Sequence, residues 1–212
     1  MNNARISSEL FRIARTLCAV DYKTHRDKLQ ELIKTRPDIP VMEGDTSHEG
    51  KWHYCSVLGH IDWTRKNAEA AYKAAGIDVR EVAALHDIGK IISARLKSDG
   101  TFSFKGHEIS GAEYLKNERK WNSLTDEDIE IIGNHGSFRK GIDHIKITGT
   151  GLRKLAALEL CDEFAKWSKE KIPDLADMEV FESNRQMVID GAAKILGSGT
   201  VDKIVKAFSE CI

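Results

Sequence analysis

The residues best suited to chemistry lie in an apolar run from residue 82 to residue 92, V-A-A-L-H-D-I-G-K-I-I. His86 and Asp87 stand side by side in the middle of this run, and Lys90 follows them. Burying an imidazole and a carboxylate costs free energy unless they are hydrogen-bonded or bound to a cation. The two groups together are ligands for divalent transition metals. The pair therefore indicates either a metal site or a core histidine that hydrogen-bonds to its neighbour.

Three more ligand-type residues lie at positions that helical spacing turns toward an apolar interior. His60 and His135 each follow an aliphatic residue by three positions, and Asp162 follows Leu158 by four. Residues with this spacing share one face of a helix. Each of them alone could be a core polar group that its neighbours satisfy. Several on different helices favour a shared ion, because one cation offsets the desolvation of all of them.

The elements that carry these residues are predicted to be helices, since the chain has only three prolines and 7% aromatic residues. The expected N-caps are Asp78, Thr125 (in a capping box with Asp128) and Thr200, and Gly76 is an expected C-cap. Apolar periodicity predicts helices over residues 7–20, 24–33, 55–75, 79 through the His-Asp pair, 107 onward, 126–135, 152–170, 181–196 and 201–208.

Two of these segments carry more specific expectations. In the helix over 152–170, Asp162 falls on the inward stripe, whereas Glu159 and Glu163 are expected to turn outward. The segment 95–105, R-L-K-S-D-G-T-F-S-F-K, has a D-G turn between alternating residues, which is typical of a small hairpin. Residues 42–51 and 136–151 are expected to be loops. The predicted fold class is all-α with at most one short β-hairpin.

The length of 212 residues favours a single domain. We expect a core over about residues 52–170, an N-terminal helical extension over 1–45 and C-terminal helices over 180–212. The four cysteines are scattered without a C-x-x-C pair, so neither a zinc knuckle nor a disulfide scaffold is indicated.

The charge balance and hydropathy exclude some kinds of partner. With 32 basic and 33 acidic residues the net charge is −1, so bulk binding of nucleic acid is not indicated. No apolar run approaches the roughly 18 residues of a membrane span, and no secretory signal pattern is recognisable. We therefore expect a cytoplasmic protein that does not bind membranes. The oligomeric state is left open.

The order of the ligand-type residues resembles a known signature. His60, the His86-Asp87 pair and Asp162 follow one another as in the H…HD…D pattern of the HD-domain superfamily of metal-dependent phosphohydrolases. The resemblance covers about residues 52–169. Its most specific segments are A-A-L-H-D-I-G-K (83–90), G-H-E-x-x-G-A (106–112) and L-E-L-C-D-E-F-A (158–165). The second segment is similar to the HD domains of bacterial tRNA nucleotidyltransferases and their stand-alone relatives.

This resemblance implies an HD-type helical bundle with a two-metal centre of six ligands. Asp87 would bridge the two ions, and His107 and His135 would hold the second one. The implied ligand set is His60, His86, Asp87, His107, His135 and Asp162. Ligation by imidazole and carboxylate suits Mn, Fe, Ni, Co or Zn, with Mg possible at one site.

The implied activity is hydrolysis of a nucleotide or related phosphoester by metal-activated attack of water on phosphorus. Asp87 and Lys90 would be the catalytic residues, with the Lys90 ammonium also binding a phosphate oxygen. The alternative for Lys90 is a solvated helix end. Arg139 and Lys140 either bind substrate phosphate or are solvated loop charges. Whether the enzyme cleaves monoesters or diesters is left open.

Two other functions are compatible with the same pattern. Some HD proteins are di-iron oxygenases, which use the same kind of ligand set. A non-catalytic module that senses a metal or a nucleotide is the other alternative, although all six ligand positions are filled. Among the remaining histidines, His25 and His48 are expected at the surface and His53 beside the site or at the surface. His144 either reaches the site or has no role. Glu108 is read as an acid that the helix dipole stabilises.

Overall fold

A computed structural model describes residues 22–36, 56–98, 102–166 and 175–210. The predictions for residues 7–20 and 42–51, for His48 and for His53 lie outside these ranges. In chain order, the described elements are α1 (Tyr22–Lys34), α2 (Val57–Ala75), α3 (Arg80–Leu85), α4 (Ile88–Ser93), β1 (Arg95–Leu96), β2 (Phe102–Ser103), α5 (His107–Asn117), α6 (Asp126–Asn134), α7 (Gly149–Glu163), α8 (Leu175–Leu196) and α9 (Ser198–Ser209). The prediction of an all-α fold with one hairpin is confirmed.

Helix α2 begins and ends at residues whose chemistry stops a helix. The Ser56 hydroxyl accepts a hydrogen bond from the backbone N–H of Gly59 at 3.0 Å, as an N-cap does. Gly76 closes the helix in the left-handed conformation with φ 68°, as predicted. Between these ends, the buried stripe includes Val57, His60 and Ile61. The helix therefore delivers one imidazole into the interior.

The run that contains His86 and Asp87 is not one continuous helix. Helix α3 ends at Leu85 and α4 begins at Ile88, because Asp87 leaves the α-helical region with φ −100° and ψ 11°. Neighbours in a regular helix project about 100° apart. The break instead allows two adjacent side chains to approach one centre.

Two of the expected caps are wrong. Val79, not Asp78, occupies the N-cap position of α3, and the Asp78 carboxylate binds the guanidinium of Arg80 at 2.8 Å and accepts its backbone N–H at 3.2 Å. Helix α9 begins at Ser198, so Thr200 lies inside its first turn, where its N–H donates to the Gly197 carbonyl at 3.1 Å. Neither Val79 nor Gly197, which hold the two N-cap positions, makes a side-chain cap hydrogen bond.

The hairpin and α5 follow the expected pattern. Strands β1 and β2 pair antiparallel, with Arg95 opposite Ser103 and Leu96 opposite Phe102. Helix α5 then begins at His107, directly after Gly106 in the left-handed conformation with φ 78°. The turn into the helix thus fixes where the His107 ring enters the structure.

Helix α6 opens with the predicted capping box. The Thr125 hydroxyl accepts the N–H of Asp128 at 3.1 Å, and the Asp128 carboxylate accepts the N–H of Thr125 at 3.0 Å. The helix ends at Asn134, one residue earlier than predicted, and His135 has an extended ψ of 151°. His135 is consequently a residue of the helix end, and its ring is buried.

Helix α7 is the centre of the bundle, because it packs against α2, α3, α6 and α8. It ends at Glu163, well before residue 170, and a turn over residues 164–166 follows. The prediction that Glu159 and Glu163 turn outward is wrong, since each is only 1% exposed. Every residue from 155 to 163 is buried, so this part of the helix has no solvent face to offer them.

The first described helix corrects the expectation for His25. This residue lies with Leu29 and Ile33 on the buried stripe of α1 and is 4% exposed. Its Nε2 atom is 3.3 Å from a carboxylate oxygen of Glu81, and its ring packs edge-on against Trp121. His25 is therefore a core residue rather than a surface one.

Helices α8 and α9 complete the described bundle. Helix α8 packs on α7, and α9 packs on both α2 and α8. The side chains of Phe181 in α8 and Phe208 in α9 are 2% and 1% exposed. Within the described ranges, no helix combines the length and apolar character that spanning a membrane would need.

Candidate metal centre

Five elements bring the six predicted ligand residues to one place. Helices α2 and α7 contribute one residue each, the α3–α4 break contributes two, and the start of α5 and the end of α6 contribute one each. The side chains are His60, His86, Asp87, His107, His135 and Asp162, and all are buried except His107, whose side chain is 17% exposed.

Three of these residues form a deep group. In the group of His60, His86 and Asp162, the potential ligand atoms all lie within 4.8 Å of one another. Asp162 Oδ1 is 2.8 Å from His60 Nε2 and 3.7 Å from His86 Nε2. The two Nε2 atoms are 3.3 Å apart. We call these residues the deep group.

The other three residues form an outer group. Asp87, His107 and His135 also have ligand atoms within 4.8 Å of one another. Asp87 Oδ1 is 3.3 Å from Nε2 of both histidines, whose Nε2 atoms are 3.1 Å apart. We call these residues the outer group, because all three line the cavity described below.

Asp87 links the two groups. Its Oδ1 atom faces the outer group, and its Oδ2 atom is 3.4 Å from Nε2 of both His60 and His86. One carboxylate therefore presents a different oxygen to each set of imidazoles. The geometry therefore allows this carboxylate to take part in both groups.

The backbone determines the tautomer of all four imidazoles. In each ring, Nδ1 lies within hydrogen-bond distance of a carbonyl oxygen, which can only accept. Each Nδ1 therefore carries a proton, and the Nε2 lone pair of the neutral ring points to the centre. The carbonyl partners are Ala165 for His60 at 3.2 Å, Ala83 for His86 at 2.9 Å, Phe104 for His107 at 2.9 Å and Ile132 for His135 at 2.6 Å.

Converging lone pairs need a positive charge between them. Two neutral Nε2 atoms at 3.1 or 3.3 Å cannot hydrogen-bond to each other, because neither has a proton to donate. A proton or a metal ion must lie between them. Metal-binding histidines commonly donate their other N–H to a backbone carbonyl, as these four do. The His and Asp groups are thus positioned to bind divalent metal.

The electrostatics of the centre keep its carboxylates ionised. Burial opposes the charged form of Asp87, but Lys90 and His86 outweigh it and hold the pKa of Asp87 well below its usual value. His60 and His86 have the same effect on the pKa of Asp162. Both acids are therefore available as anionic ligands.

Three of the imidazoles differ in the direction in which their pKa is shifted. Burial lowers the pKa of His60 and of His107. Burial also opposes protonation of His86, but Asp87 and Asp162 outweigh it and raise the pKa of His86 to about 10.

Lys90 is not a solvated helix end. It is 5% exposed, and its Nζ atom lies 2.7 Å from Asp87 Oδ2. It also lines the cavity next to the outer group. Its role toward substrate stays a prediction, but its ammonium is beside the centre.

The two basic residues predicted to bind substrate differ in their surroundings. Arg139 Nη2 lies 3.1 Å from Asp162 Oδ2 and 3.3 Å from Glu163 Oε2, so its guanidinium is held by two acids. Lys140 is exposed and lines the cavity. Binding of substrate by either residue stays a prediction.

A cavity of about 790 Å³ opens above the outer group. His60 and His86 are absent from its lining and lie beneath it, whereas Asp162 of the deep group reaches the cavity. The cavity combines acidic, basic and apolar side chains. Besides the ligands Asp87, His107, His135 and Asp162, its lining includes Lys90, Lys105, Arg139, Lys140, Phe104, Ile109, Glu108 and Asn184.

Sequence reasoning did not identify two of these polar residues. Lys105 comes directly before the Gly106-His107 start of α5, and its place next to a ligand histidine was a usable signal. Asn184 has no such signal, since it comes to the cavity through the packing of α8 on the short 3-10 helix Ser137–Lys140, which we call the 137–140 turn. Glu108 reaches the site as well, with a carboxylate oxygen 3.4 Å from His107 Nδ1. His144 is exposed and does not line the cavity.

Comparison with known proteins agrees with this geometry. The family model described as HD domain matches residues 57–180, which is more than half of the chain and includes all six predicted ligand residues. No curated protein and no solved structure matches the chain. The likeness to the HD domains of tRNA nucleotidyltransferases stays a prediction. The chain belongs to the HD domain family.

Proposed function

We propose that this HD protein is a metal-dependent phosphohydrolase that acts on a nucleotide or a related phosphoester. The strongest support comes from Asp87, which turns one oxygen to each of two imidazole groups. A single-ion site would need only one of these groups. The duplicated arrangement, next to a cavity with basic side chains, suits two ions that act on a phosphoryl group.

The six ligands divide the work of holding the ions. The deep group would hold one ion with His60, His86 and Asp162, and the outer group the other with His107 and His135, while Asp87 joins them. When bound, two divalent ions supply a nucleophilic water at neutral pH and positive charge for the phosphoryl oxygens. The ligand chemistry favours Mn, Fe, Ni, Co or Zn, with Mg possible at one site.

Lys90 is proposed to orient the phosphoryl group. Its ammonium lies beside Asp87 Oδ2 and faces the cavity, so a phosphate entering from the cavity meets both the outer group and this cation. Because Lys90 is nearly buried, its charge is poorly screened by water and acts strongly on a nearby anion.

The rest of the cavity suits an organic phosphate. Lys105 and Lys140 are exposed basic residues at the cavity and would attract an anion. Phe104 and Ile109 offer apolar surface, and Ile109 is 56% exposed there. A cavity of about 790 Å³ lies within the usual range for small-molecule sites. A substrate with an anionic end and a ring system, such as a nucleotide, matches both features.

The test is metal analysis of the purified protein followed by a phosphate-release screen. Nucleotides and related esters are offered with Mn²⁺, Co²⁺, Ni²⁺ and Mg²⁺. We expect turnover that a chelator abolishes and that His86→Ala removes. His144→Ala is the matched control, because His144 is exposed and lies outside the cavity lining.

The same experiment separates the other functions of this family. Bound iron with oxygen uptake and no phosphate release would identify an oxygenase instead. Metal or nucleotide binding without turnover of any ester would identify a sensing module. Turnover that survives both chelation and His86→Ala would contradict the proposed centre.

A further inference from the structure

The deep-group carboxylate of Asp162 is shared between two partners. Its Oδ1 atom is 2.8 Å from His60 Nε2, whereas its Oδ2 atom is 3.1 Å from Arg139 Nη2. The guanidinium therefore binds the oxygen that does not face the imidazoles. A carboxylate held in this way presents one defined oxygen to an ion.

Arg139 is itself held by a buried ion network. Its Nη2 atom is 3.3 Å from Glu163 Oε2, and the same oxygen pairs with the ammonium of Lys166. Glu163 is 1% exposed and Lys166 is fully buried. Because two neighbouring acids in α7 need compensation away from water, a cation at this point has a structural reason to stay there.

The turn that carries Arg139 is anchored on α8. Phe138 is 3% exposed, and its ring lies against Gly191, where a Cβ would come within 2.9 Å of Phe138 Cδ2. The 137–140 turn and α8 are therefore in close contact. This packing fixes the backbone from which the guanidinium reaches Asp162.

We infer that Arg139 is a positioning residue that orients Asp162 for the deep ion, rather than a ligand of the substrate. The inference rests on the proposed metal centre. Metal-binding carboxylates are commonly held by hydrogen bonds to a further residue, and loss of that residue typically weakens metal binding about 10- to 100-fold. The effect should be confined to the deep ion, because the ion pairs of Arg139 within the described ranges are with Asp162 and Glu163, and neither acid belongs to the outer group.

The test titrates Mn²⁺ into the full metal-free chain by calorimetry, with electron paramagnetic resonance to count bound ions. The wild-type chain should bind two ions. Arg139→Ala should lower the affinity for one of these ions by about 10- to 100-fold and leave the affinity for the other unchanged. Arg139→Lys, which keeps the charge but loses the planar fork, should recover part of the loss.

Arg153→Ala is the matched control, because it removes an arginine of α7 that is exposed and lies outside the cavity lining. It should bind both ions as the wild type does. Circular dichroism of each variant checks that the helices remain. If Arg139→Ala proves unfolded, Arg139→Lys alone provides the comparison. Its affinity for a single ion should then be lower than that of the wild type.

Three results would overturn the inference. Equal binding of both ions by Arg139→Ala and by the wild type would show that Asp162 needs no orientation from Arg139. Unchanged ion binding with a raised KM for an ester would make Arg139 a substrate ligand. A wild-type chain that takes up no ion would remove the metal centre itself, so failure of the proposed function is distinguishable from failure of this inference alone.

Discussion

Gly89 of α4 lies directly against the backbone carbonyl of His107 at the start of α5. A Cβ at residue 89 would overlap that carbonyl oxygen and approach the Gly111 nitrogen to 2.7 Å. Two glycines, Gly89 and Gly111, thus let the helices approach closely. Since Asp87 precedes α4 and His107 opens α5, this contact determines the separation of two outer-group ligands.

The first prediction concerns this contact. Gly89→Ala should push α4 and α5 apart, because the clash is with backbone that cannot rotate away. We expect a loss of about 1–3 kcal/mol in the free energy of unfolding, as overpacking usually causes. The affinity for the outer ion should fall more than the affinity for the deep ion. Denaturant unfolding and Mn²⁺ titration measure the two effects.

A matched control for this substitution is Gly199→Ala in α9, where a Cβ would meet nothing within 4 Å. It should leave both stability and metal binding nearly unchanged. Wild-type stability in Gly89→Ala would mean that the two helices are not in the contact described.

The second prediction separates the two acids of the centre. Asp87→Asn should weaken the binding of both ions, because Asp87 faces both groups. Asp162→Asn should weaken the binding of the deep ion alone. Hydrolysis should be lost in Asp87→Asn while the helices remain folded. Metal stoichiometry and circular dichroism measure these outcomes. Asp143→Asn, at an exposed position, is the control. Equal effects of the two ligand substitutions would argue against a bridging Asp87.

The third prediction concerns Lys90. Lys90→Ala should lower kcat/KM by roughly 100-fold, the size of effect that removal of one preorganised donor to a developing negative charge typically has. Metal content should stay at two ions, since lysine is not a ligand. Steady-state kinetics together with metal analysis check both parts. Lys116→Ala removes an exposed lysine outside the cavity lining and should have no effect. Loss of metal in Lys90→Ala would assign this residue a different role.

The fourth prediction uses the buried carboxyl of Glu159. Both of its oxygens lack a hydrogen-bond partner among the described residues, and burial raises its pKa from 4.5 to about 7. The folded state therefore binds this proton more tightly than the unfolded state does. The stability of the metal-free protein should fall as the pH rises from about 4.5 to about 7, by about 3 kcal/mol at most from this group.

Glu159→Gln removes this titration. Relative to the wild type, the variant should gain stability between pH 4.5 and 7 and keep that gain at higher pH. Urea unfolding of the chelator-treated protein at several pH values measures the difference. Glu130→Gln, at an exposed position, should follow the wild-type curve. A pH-independent difference between Glu159→Gln and the wild type would contradict the raised pKa.

The fifth prediction concerns metal removal. Four Nε2 atoms and two carboxylates converge on one buried centre, so bound ions should stabilise the fold as well as the reaction. At a free ion concentration of about 100 times Kd, binding adds about 2.7 kcal/mol per site. Calorimetry should therefore show a lower Tm after chelation and recovery with Mn²⁺. An identical Tm in both states would mean that the ions do not bind the folded chain preferentially.

Local chemistry in the sequence was sufficient to predict several features of this protein. The capping box of Thr125 and Asp128 and the C-cap at Gly76 involve only residues within one or two turns of each other. The inward faces of His60 and Asp162 follow from helical spacing in the same way. Such features need no knowledge of distant elements, because the period of a helix is a property of its own backbone.

Tertiary packing decided the rest. Glu159 and His25 were expected at the surface, but α7 is surrounded by other helices, and α1 packs over α3 and α4. The side of Asp162 that Arg139 binds depends on how the 137–140 turn packs on α8. The sequence alone determined which residues could bind metal and which helix faces carry them. Only the folded chain decided which of their atoms meet, because distances between elements far apart in sequence arise from packing rather than from local periodicity.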